Sequence, residues 1–311
     1  MKTFVPDYYN GFSCLAGDCK HSCCIGWEID IDDNTLEYYN SVQGDFGRCL
    51  KDNISYNEET AYFAMDDCGR CPFLNEKGLC DIMLNLGFDK VSQICDDHPR
   101  FRNFYSDRTE IGLGMSCEAV AKLILSKSEK TQLICIEGED ELLWPEEEDF
   151  LAMREDIFAI LQNREIPLKQ RIIQMVEYCS LEQRHYTPDR QAELFLSLER
   201  LDEKRDILLS ELAQAKQKDL TFPSERFETA FEQLAVYFVF RHLTESLDDD
   251  RLAGRLQFVV WALGVVYNLC ALHYNRTGRL TIDDMAEICR MFSAEIEYSP
   301  DNMDTLFDTL E

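Results

Sequence analysis

Apolar residues recur at every third or fourth position through the second half of the chain, which is the spacing of one buried helix face. Phe150, Met153 and Ile157 follow this spacing and predict a helix over residues 150–162. Thr281 is the expected N-cap of a later helix, because its hydroxyl can accept a backbone N–H. The same spacing predicts helices over 168–179, 191–216, 227–243, 252–272, 282–292 and 302–310.

The first part of the chain has shorter and less regular patterns. They predict a helix that starts at 33–36, a strand over 61–65, a hairpin over 71–80 with its turn at 75–78, and a helix over 117–126. Gly112 and Gly114 are separated by one residue, but the third glycine of a nucleotide-binding glycine motif is missing. We therefore expect a loop that leads into Cys117 rather than a nucleotide-binding loop.

An acidic segment separates these two kinds of pattern. Eight of the 13 residues in 137–149 are Asp or Glu, and Trp144-Pro145 lies among them. Charge runs and proline favour a solvated connection. The sequence therefore predicts a mainly α-helical protein in three parts. These are an irregular cysteine-rich metal-binding module with short strands (1–136), an acidic linker (137–149) and a bundle-like helical domain (150–311).

Charge and hydropathy exclude some functions. The chain has 31 Lys and Arg against 59 Asp and Glu, so its net charge of −28 repels nucleic acid and anionic membranes. The longest apolar stretch, 258–267, is much shorter than the roughly 20 residues that span a bilayer. The first residues lack the apolar core of a signal peptide. We expect a cytoplasmic protein without membrane insertion; the sequence does not indicate its oligomeric state.

Cysteine placement is the main chemical signal. Ten of the 14 cysteines precede residue 118, and thiols stay reduced in the cytoplasm, so clustered cysteines indicate a metal. Thiolates suit zinc and iron–sulfur clusters, and ligand type alone leaves both open. Cys49 has no near neighbour and is expected to be structural. The predicted metal ligands are Cys14, Cys19, Cys23, Cys24, Cys68, Cys71, Cys80, Cys95 and Cys117.

The same residues resemble the flagellin lysine-N-methylase family and the wider proteins with a zinc- or iron-chelating cysteine cluster. The similarity begins at residues 12–27, with Cys14, Cys19, Cys23 and Cys24, and continues through 71–80, 94–100 and 116–119. Two later sequence segments, the C-terminal markers, narrow this resemblance to the lysine methylase branch of these proteins. They are Tyr-Phe-Val-Phe-Arg-His at 237–242 and Ser-Ala-Glu-Ile-Glu-Tyr-Ser at 293–299, followed by Asn302.

This resemblance implies methyl transfer from S-adenosylmethionine to surface lysines of flagellin, with an iron–sulfur cluster, expected to be 4Fe–4S, or zinc on the cysteines. The Cys19-x3-Cys23-Cys24 spacing differs from the C-x3-C-x2-C pattern of the usual radical S-adenosylmethionine enzymes. His98 stands where relatives are expected to carry an aromatic residue, so it either packs like one or is a tenth ligand. The alternative function is a non-enzymatic zinc- or iron-binding module for protein interaction.

The sequence leaves the catalytic route and the catalytic residues open. A lysine amine must lose its proton before it attacks a methyl sulfonium, and its ordinary pKa is about 10.4. Either a nearby base and desolvation remove the proton, or an open cluster position takes part in the chemistry. No catalytic or cofactor-binding residue is singled out. We expect Arg241 and His242 to be helix-end or core contacts, and Glu295 and Glu297 to lie on a solvated face.

Overall fold

The computed structural model describes residues 1–27, 29–58, 60–200 and 204–311, with the side chains of 204–207 left undescribed. Its strands are β1 (Lys2–Pro6), β2 (Ile29–Ile31), β3 (Ile54–Tyr56), β4 (Ala61–Phe63), β5 (Arg100–Phe104), β6 (Arg108–Leu113) and β7 (Leu133–Glu137). The helices of the first half are α1 (Asp33–Ser41), α2 (Gly44–Asp52), α3 (Asp81–Leu86), α4 (Gln93–Asp97) and α5 (Glu118–Leu125). Those of the second half are α6 (Pro145–Leu161), α7 (Leu168–Tyr178), α8 (Pro188–Leu196), α9 (Lys204–Gln214), α10 (Glu228–His242), α11 (Ser246–Asp249), α12 (Leu252–Thr277), α13 (Ile282–Ile296) and α14 (Pro300–Leu310).

The chain divides into two compact units. The cysteine unit comprises Ser13–Arg100, and the helical unit comprises Met1–Phe12 together with Phe101–Glu311. These boundaries differ from the sequence-based division at 136 and 150. Residues 101–136 lie in the helical unit because β6 pairs with β1, which belongs to that unit. The segment predicted as a linker contains the end of β7 and the first residues of α6.

The cysteine unit is built on a small antiparallel sheet in the order β2-β4-β3. Its core holds Tyr39, Phe63 and Phe73, and the rings of Phe63 and Phe73 pack edge-on at 4.7 Å. The buried Tyr39 hydroxyl donates a hydrogen bond to the Lys90 carbonyl at 2.8 Å, which satisfies its polar end. The start of α1 and the strand at β4 confirm the sequence predictions for this region, the strand ending two residues earlier than predicted.

The helical unit combines a four-stranded sheet with the helices α5 to α14. In the order β5-β6-β1-β7, β1 runs parallel to β6 and antiparallel to β7. Gly112 lies inside β6 rather than in the predicted loop, and a Cβ there would meet the ring of Phe101 at 2.1 Å. The close approach of that ring on the neighbouring strand therefore explains this glycine.

Most of the predicted helices are confirmed to within five residues at each end. The segment predicted as one helix over 191–216 is wrong, because α8 ends at Leu196 and α9 follows as a separate helix. Thr281 is the N-cap of α13, where it forms a reciprocal capping box with Asp284. The predicted N-cap is therefore confirmed.

Helix α12 is the central element of the helical core. It is long and apolar enough to cross a membrane by length and composition, but 78% of its most apolar window is buried inside the protein. Trp261 near its middle has no exposed surface. This burial is typical of the core helix of a soluble protein, as the sequence predicts.

Candidate functional site

Two backbone pairings in the cysteine unit bring distant cysteines together. Ile25 forms an antiparallel bridge with Arg70, and the Cys71 N–H donates to the Cys24 carbonyl at 2.9 Å. The residues around Cys24 therefore run alongside those before Cys71. Since these segments are 47 positions apart in sequence, only the fold places the two cysteines next to each other.

A tight turn adds the third cysteine. Leu74 bridges to Cys80, and the Asn75 N–H donates to the Leu79 carbonyl at 3.0 Å, so the chain folds back after Cys71. Gly78 has a φ of +71°, which suits glycine in this turn. The hairpin predicted over 71–80 is confirmed as this bridge and turn, although neither arm is long enough to be a strand.

The fourth cysteine lies on a short helix against the same core. Cys95, on α4, packs with Cys24 and Cys80 against the buried residues that include Cys71. The Ser92 hydroxyl lies 3.3 Å from the Cys95 sulfur. We call Cys24, Cys71, Cys80 and Cys95 the four-thiol cluster.

The electrostatics of the four-thiol cluster show that its members lie within range of one another. Burial raises the pKa of Cys71 to about 12 and that of Cys95 to about 11, and charge on Cys24 and Cys80 adds to both shifts. The Cys24 thiol behaves differently. A hydrogen bond with Cys23 lowers its pKa to about 7, assisted by the Ser22 hydroxyl and the Arg70 guanidinium. Cys24 is therefore the member that ionises most readily.

The remaining predicted ligands have varied surroundings. The Cys23 thiol lies beside the four-thiol cluster, and its hydrogen bond with Cys24, its burial and charge on Cys24, Cys14 and Cys95 raise its pKa. Cys19 donates to the His21 carbonyl at 3.3 Å, and Cys68 is exposed in the turn before Arg70. Cys117 belongs to the helical unit, where it precedes α5.

Within the described ranges, no group of three or more His, Cys, Asp or Glu side chains stands in the arrangement of a metal site. The chemistry of the four-thiol cluster nevertheless fits a soft metal. Thiolates are the ligands that zinc and iron–sulfur clusters prefer, and a cation offsets both the burial and the mutual repulsion that raise the pKa values of Cys71 and Cys95. The assignment of all nine cysteines as ligands stays a prediction.

Aromatic groups flank the Cys23–Cys24 segment. The Trp27 indole N–H donates to the Cys23 carbonyl at 2.5 Å, and its ring packs against His98 with centroids 6.1 Å apart. Of the two roles considered for His98, packing as an aromatic residue has this contact in its favour. Trp27 also ties the backbone at Cys23, a role that the residue order alone does not reveal.

The helical unit contains a buried carboxylate at a position where the sequence predicts a solvated one. Glu297 was expected on a solvated face, but its side chain has no exposed surface. The His242 ring nitrogen Nε2 lies 2.5 Å from Oε1, and the Arg241 Nε lies 3.3 Å from the same oxygen. The Tyr237 hydroxyl donates to Oε2 at 3.0 Å. These contacts compensate the cost of burying the Glu297 charge. The alternation of Glu295 and Glu297 with Ile296 is therefore not that of a solvated face, and that prediction is wrong.

Glu297, Arg241, His242 and Tyr237 form what we call the Glu297 network, in which Glu297 is ionised and His242 is neutral. Burial alone would raise the pKa of Glu297, but the Arg241 charge and the His242 hydrogen bond together lower it to about 2. Burial lowers the pKa of His242, so its ring is neutral near pH 7 and donates from Nε2. Glu295, the other misjudged residue, is also buried. A signal existed for Glu297, because Arg241 and His242 on an apolar helix require a buried acceptor.

The network joins the two C-terminal markers of the sequence analysis. Tyr237, Arg241 and His242 come from α10, and Glu297 directly follows α13. The Tyr237 hydroxyl also accepts the Met115 N–H at 3.1 Å, two residues before Cys117. The markers are therefore one contiguous structural feature.

Comparisons with known proteins address the same region. Residues 190–311 match the family described as FliB lysine N-methylase C-terminal domain. The chain is similar to a lysine-N-methylase of Salmonella typhimurium, with 30% identity over 129 residues, 39% of this chain and 32% of that protein. It is also similar to the flagellar biosynthetic protein FliU of Salmonella muenchen, with 29% identity over 127 residues, 39% of this chain and 75% of that protein.

The chain therefore aligns with about a third of the length of the first of these relatives. No solved structure matches the chain. The matched region contains α10, α13 and all of the Glu297 network except the contact of Tyr237 with Met115. The match of residues 190–311 to the FliB lysine N-methylase C-terminal domain, together with the relatives named lysine-N-methylase, supports the resemblance to the flagellin lysine-N-methylase family for this part of the chain.

Proposed function

We propose that the protein is a cytoplasmic lysine N-methyltransferase that transfers methyl groups from S-adenosylmethionine to surface lysines of flagellin. The match of residues 190–311 carries this proposal, because its two marker segments meet in one buried network. The relatives named lysine-N-methylase and flagellar biosynthetic protein support the reaction and the flagellar substrate.

We further propose that the four-thiol cluster holds an iron–sulfur cluster or zinc. Cys24, Cys71, Cys80 and Cys95 pack in one core and would supply the donors, and Cys14 and Cys23 lie within electrostatic range. If three thiolates bind a 4Fe–4S cluster, its open iron position supplies a binding point for S-adenosylmethionine; zinc would instead be structural. The Arg70 charge near Cys24 favours the anionic thiolate that either group requires.

The Glu297 network acts as a structural anchor in this proposal, not as the base for lysine. Both carboxylate oxygens are already engaged by Arg241, His242 and Tyr237, and the low pKa of Glu297 makes it a weak proton acceptor. The group that deprotonates the substrate amine must therefore lie elsewhere, whichever route the transfer takes.

The decisive experiment combines metal analysis with a methylation assay. The protein is purified without oxygen, its iron, sulfide and zinc are quantified, and flagellin is incubated with it and S-adenosylmethionine. We expect matched iron and sulfide and a methyl mass increase on flagellin lysines. Cys24→Ser should lose both metal and methyl transfer, whereas Cys49→Ser, which alters an exposed cysteine outside the cluster, should lose neither.

Each other outcome is informative. Methyl transfer at full rate by a metal-free Cys24→Ser protein would refute a catalytic metal and leave the methylase proposal standing. A colourless zinc protein that neither binds S-adenosylmethionine nor modifies flagellin would refute the methylase proposal. It would favour the alternative of a zinc-binding interaction module.

A further inference from the structure

We infer that the free edge of β7 binds an extended polypeptide segment rich in lysine by strand addition. The four-stranded sheet ends at β7, whose only neighbour in the described part of the chain is β1. One side of the β7 backbone is thus open for hydrogen bonds with a further strand. Identifying this segment as the methylation substrate rests on the proposed function; the binding itself does not.

Exposed apolar side chains mark the same edge. Ile134 is 37% exposed and Ile136 is 46% exposed, on alternate positions of the strand that share one sheet face. In the segment that follows, Leu142 is 82% exposed and Trp144 is 60% exposed. Soluble proteins usually blunt an apolar sheet edge, so an uncovered one is typical of an interaction site.

The charge next to β7 selects the kind of polypeptide. Residues 137–149 are exposed over nearly their whole length, and eight of the 13 are acidic. Two copies of this chain would bring two such segments together, which like-charge repulsion opposes. A strand with lysine side chains is instead attracted to the same surface.

A cavity beside the strand offers room for one such side chain. It has a volume of about 240 Å³ and is lined by the apolar residues Leu133, Leu143 and Leu151 and by the carboxylates Glu148 and Glu155. Apolar walls with carboxylates nearby suit the methylene stem and ammonium group of lysine. Two arginines also line the cavity.

Those arginines are already paired with acidic residues. Both Nη atoms of Arg154 lie 2.6 Å from the Glu110 carboxylate oxygens, and Arg108 binds Asp107 through two nitrogens at 2.8 and 2.9 Å. Each positive charge is thereby neutralised by a neighbour outside the cavity lining. The carboxylates of Glu148 and Glu155 consequently determine the charge that an entering side chain meets.

The test uses a fluorescent synthetic peptide that alternates valine and lysine. Its affinity is measured by anisotropy at low and physiological salt, and hydrogen exchange is followed across the full-length protein. We expect binding that weakens with salt and that slows exchange at Ile134–Glu137. A peptide with glutamate in place of lysine, and one with alternate backbone nitrogens methylated, should each bind at least about tenfold more weakly.

Matched variants locate the surface. Ile134→Lys should weaken binding about tenfold, whereas Ile173→Lys, at a position of 38% exposure on α7, should leave it unchanged. Glu139→Lys should weaken binding, and Glu165→Lys, also at an exposed glutamate of the helical unit, should not. Equal binding of the valine–lysine and N-methylated peptides, or unchanged binding by Ile134→Lys, would overturn the inference.

The outcome is separable from that of the proposed function. Peptide binding at β7 without methyl transfer to flagellin would refute the methylase proposal and leave this surface standing. Flagellin methylation at an undiminished rate by Ile134→Lys, with peptide binding weakened, would refute only the identification of the bound segment as the methylation substrate.

Discussion

A single carboxylate, Glu297, holds together the two segments that define the C-terminal family markers. We expect Glu297→Gln to lower the free energy of unfolding by about 3 kcal/mol, because it leaves the buried Arg241 charge without its counter-charge. Urea denaturation of both proteins measures this. Glu165→Gln changes an exposed glutamate and should shift stability by less than about 0.5 kcal/mol. Equal effects of the two substitutions would contradict the role of Glu297.

The same residue predicts how stability depends on pH. The pKa of Glu297 is about 2 in the folded protein against an ordinary 4.5, so its contribution is present above about pH 4.5 and is lost as the pH falls towards 2. The difference corresponds to about 3 kcal/mol at 1.36 kcal/mol per pKa unit. The lowered pKa of His242 acts in the same direction from about pH 6.5 downwards, because the unfolded chain takes up that proton first.

Comparison with Glu297→Gln isolates this effect from that of other carboxylates. Stability of each protein is measured by urea titration between pH 7 and 3. The gap between the two proteins should narrow as the pH falls below about 4.5. A gap that stays constant down to pH 3 would show that Glu297 has an ordinary pKa.

At the scale of elements, Asn302 secures the break between α8 and α9. Its Oδ1 accepts the Glu199 N–H at 2.7 Å, and its Nδ2 donates to the carbonyls of Glu199 at 3.1 Å and Glu295 at 2.9 Å. Asn302→Ala removes three hydrogen bonds from a buried side chain to the backbone, one of them fully buried, so we expect a loss of roughly 1–3 kcal/mol. Asn275→Ala removes an exposed hydrogen bond to the Asp219 carbonyl and should cost less than about 1 kcal/mol. Thermal unfolding would detect the difference.

Elements differ in how far the sequence determines them. The periodicity around Ile157 predicts α6 because a helix carries its own spacing, and Thr281 with Asp284 marks the start of α13 locally. The break after Leu196 depends on Asn302, about a hundred positions away, so no local pattern shows it. The strands β1, β6 and β7 likewise depend on pairing between distant segments, and no local pattern in the sequence predicts them.

The candidate site likewise has features that local spacing predicts and features that only long-range contacts create. Cysteine spacing predicts metal chemistry and the residues to consider, since a C-x2-C spacing such as that of Cys68 and Cys71 is frequent at metal sites. Spacing did not reveal that Cys24 lies beside Cys71, because the bridge between Ile25 and Arg70 forms only in the fold. For Glu297, the sequence indicates only that Arg241 and His242 on an apolar helix need a buried acceptor, and the contact that identifies Glu297 as that acceptor forms only in the fold.

At the scale of the whole molecule, the two units should respond differently to loss of metal. The cysteine unit has a core of few buried apolar residues, whereas the helical unit has an extensive one. Small cores depend more on a bound metal, because ligand binding then supplies part of the folding free energy. We therefore expect chelation to increase hydrogen exchange in Ser13–Arg100 and to leave helices α10 and α12 protected.

Hydrogen-exchange mass spectrometry of the full chain, with and without chelator, checks this expectation. Without chelator, Cys24→Ser should show the exchange pattern of the chelated protein, because Cys24 belongs to the four-thiol cluster. Cys49→Ser should show the exchange pattern of the untreated protein, because Cys49 is an exposed cysteine outside that cluster. Exchange that rises equally in both units would show a global destabilisation. Exchange that stays constant in Ser13–Arg100 after complete metal removal would show that the cysteine unit folds on its apolar core alone, and the metal would then have no structural role.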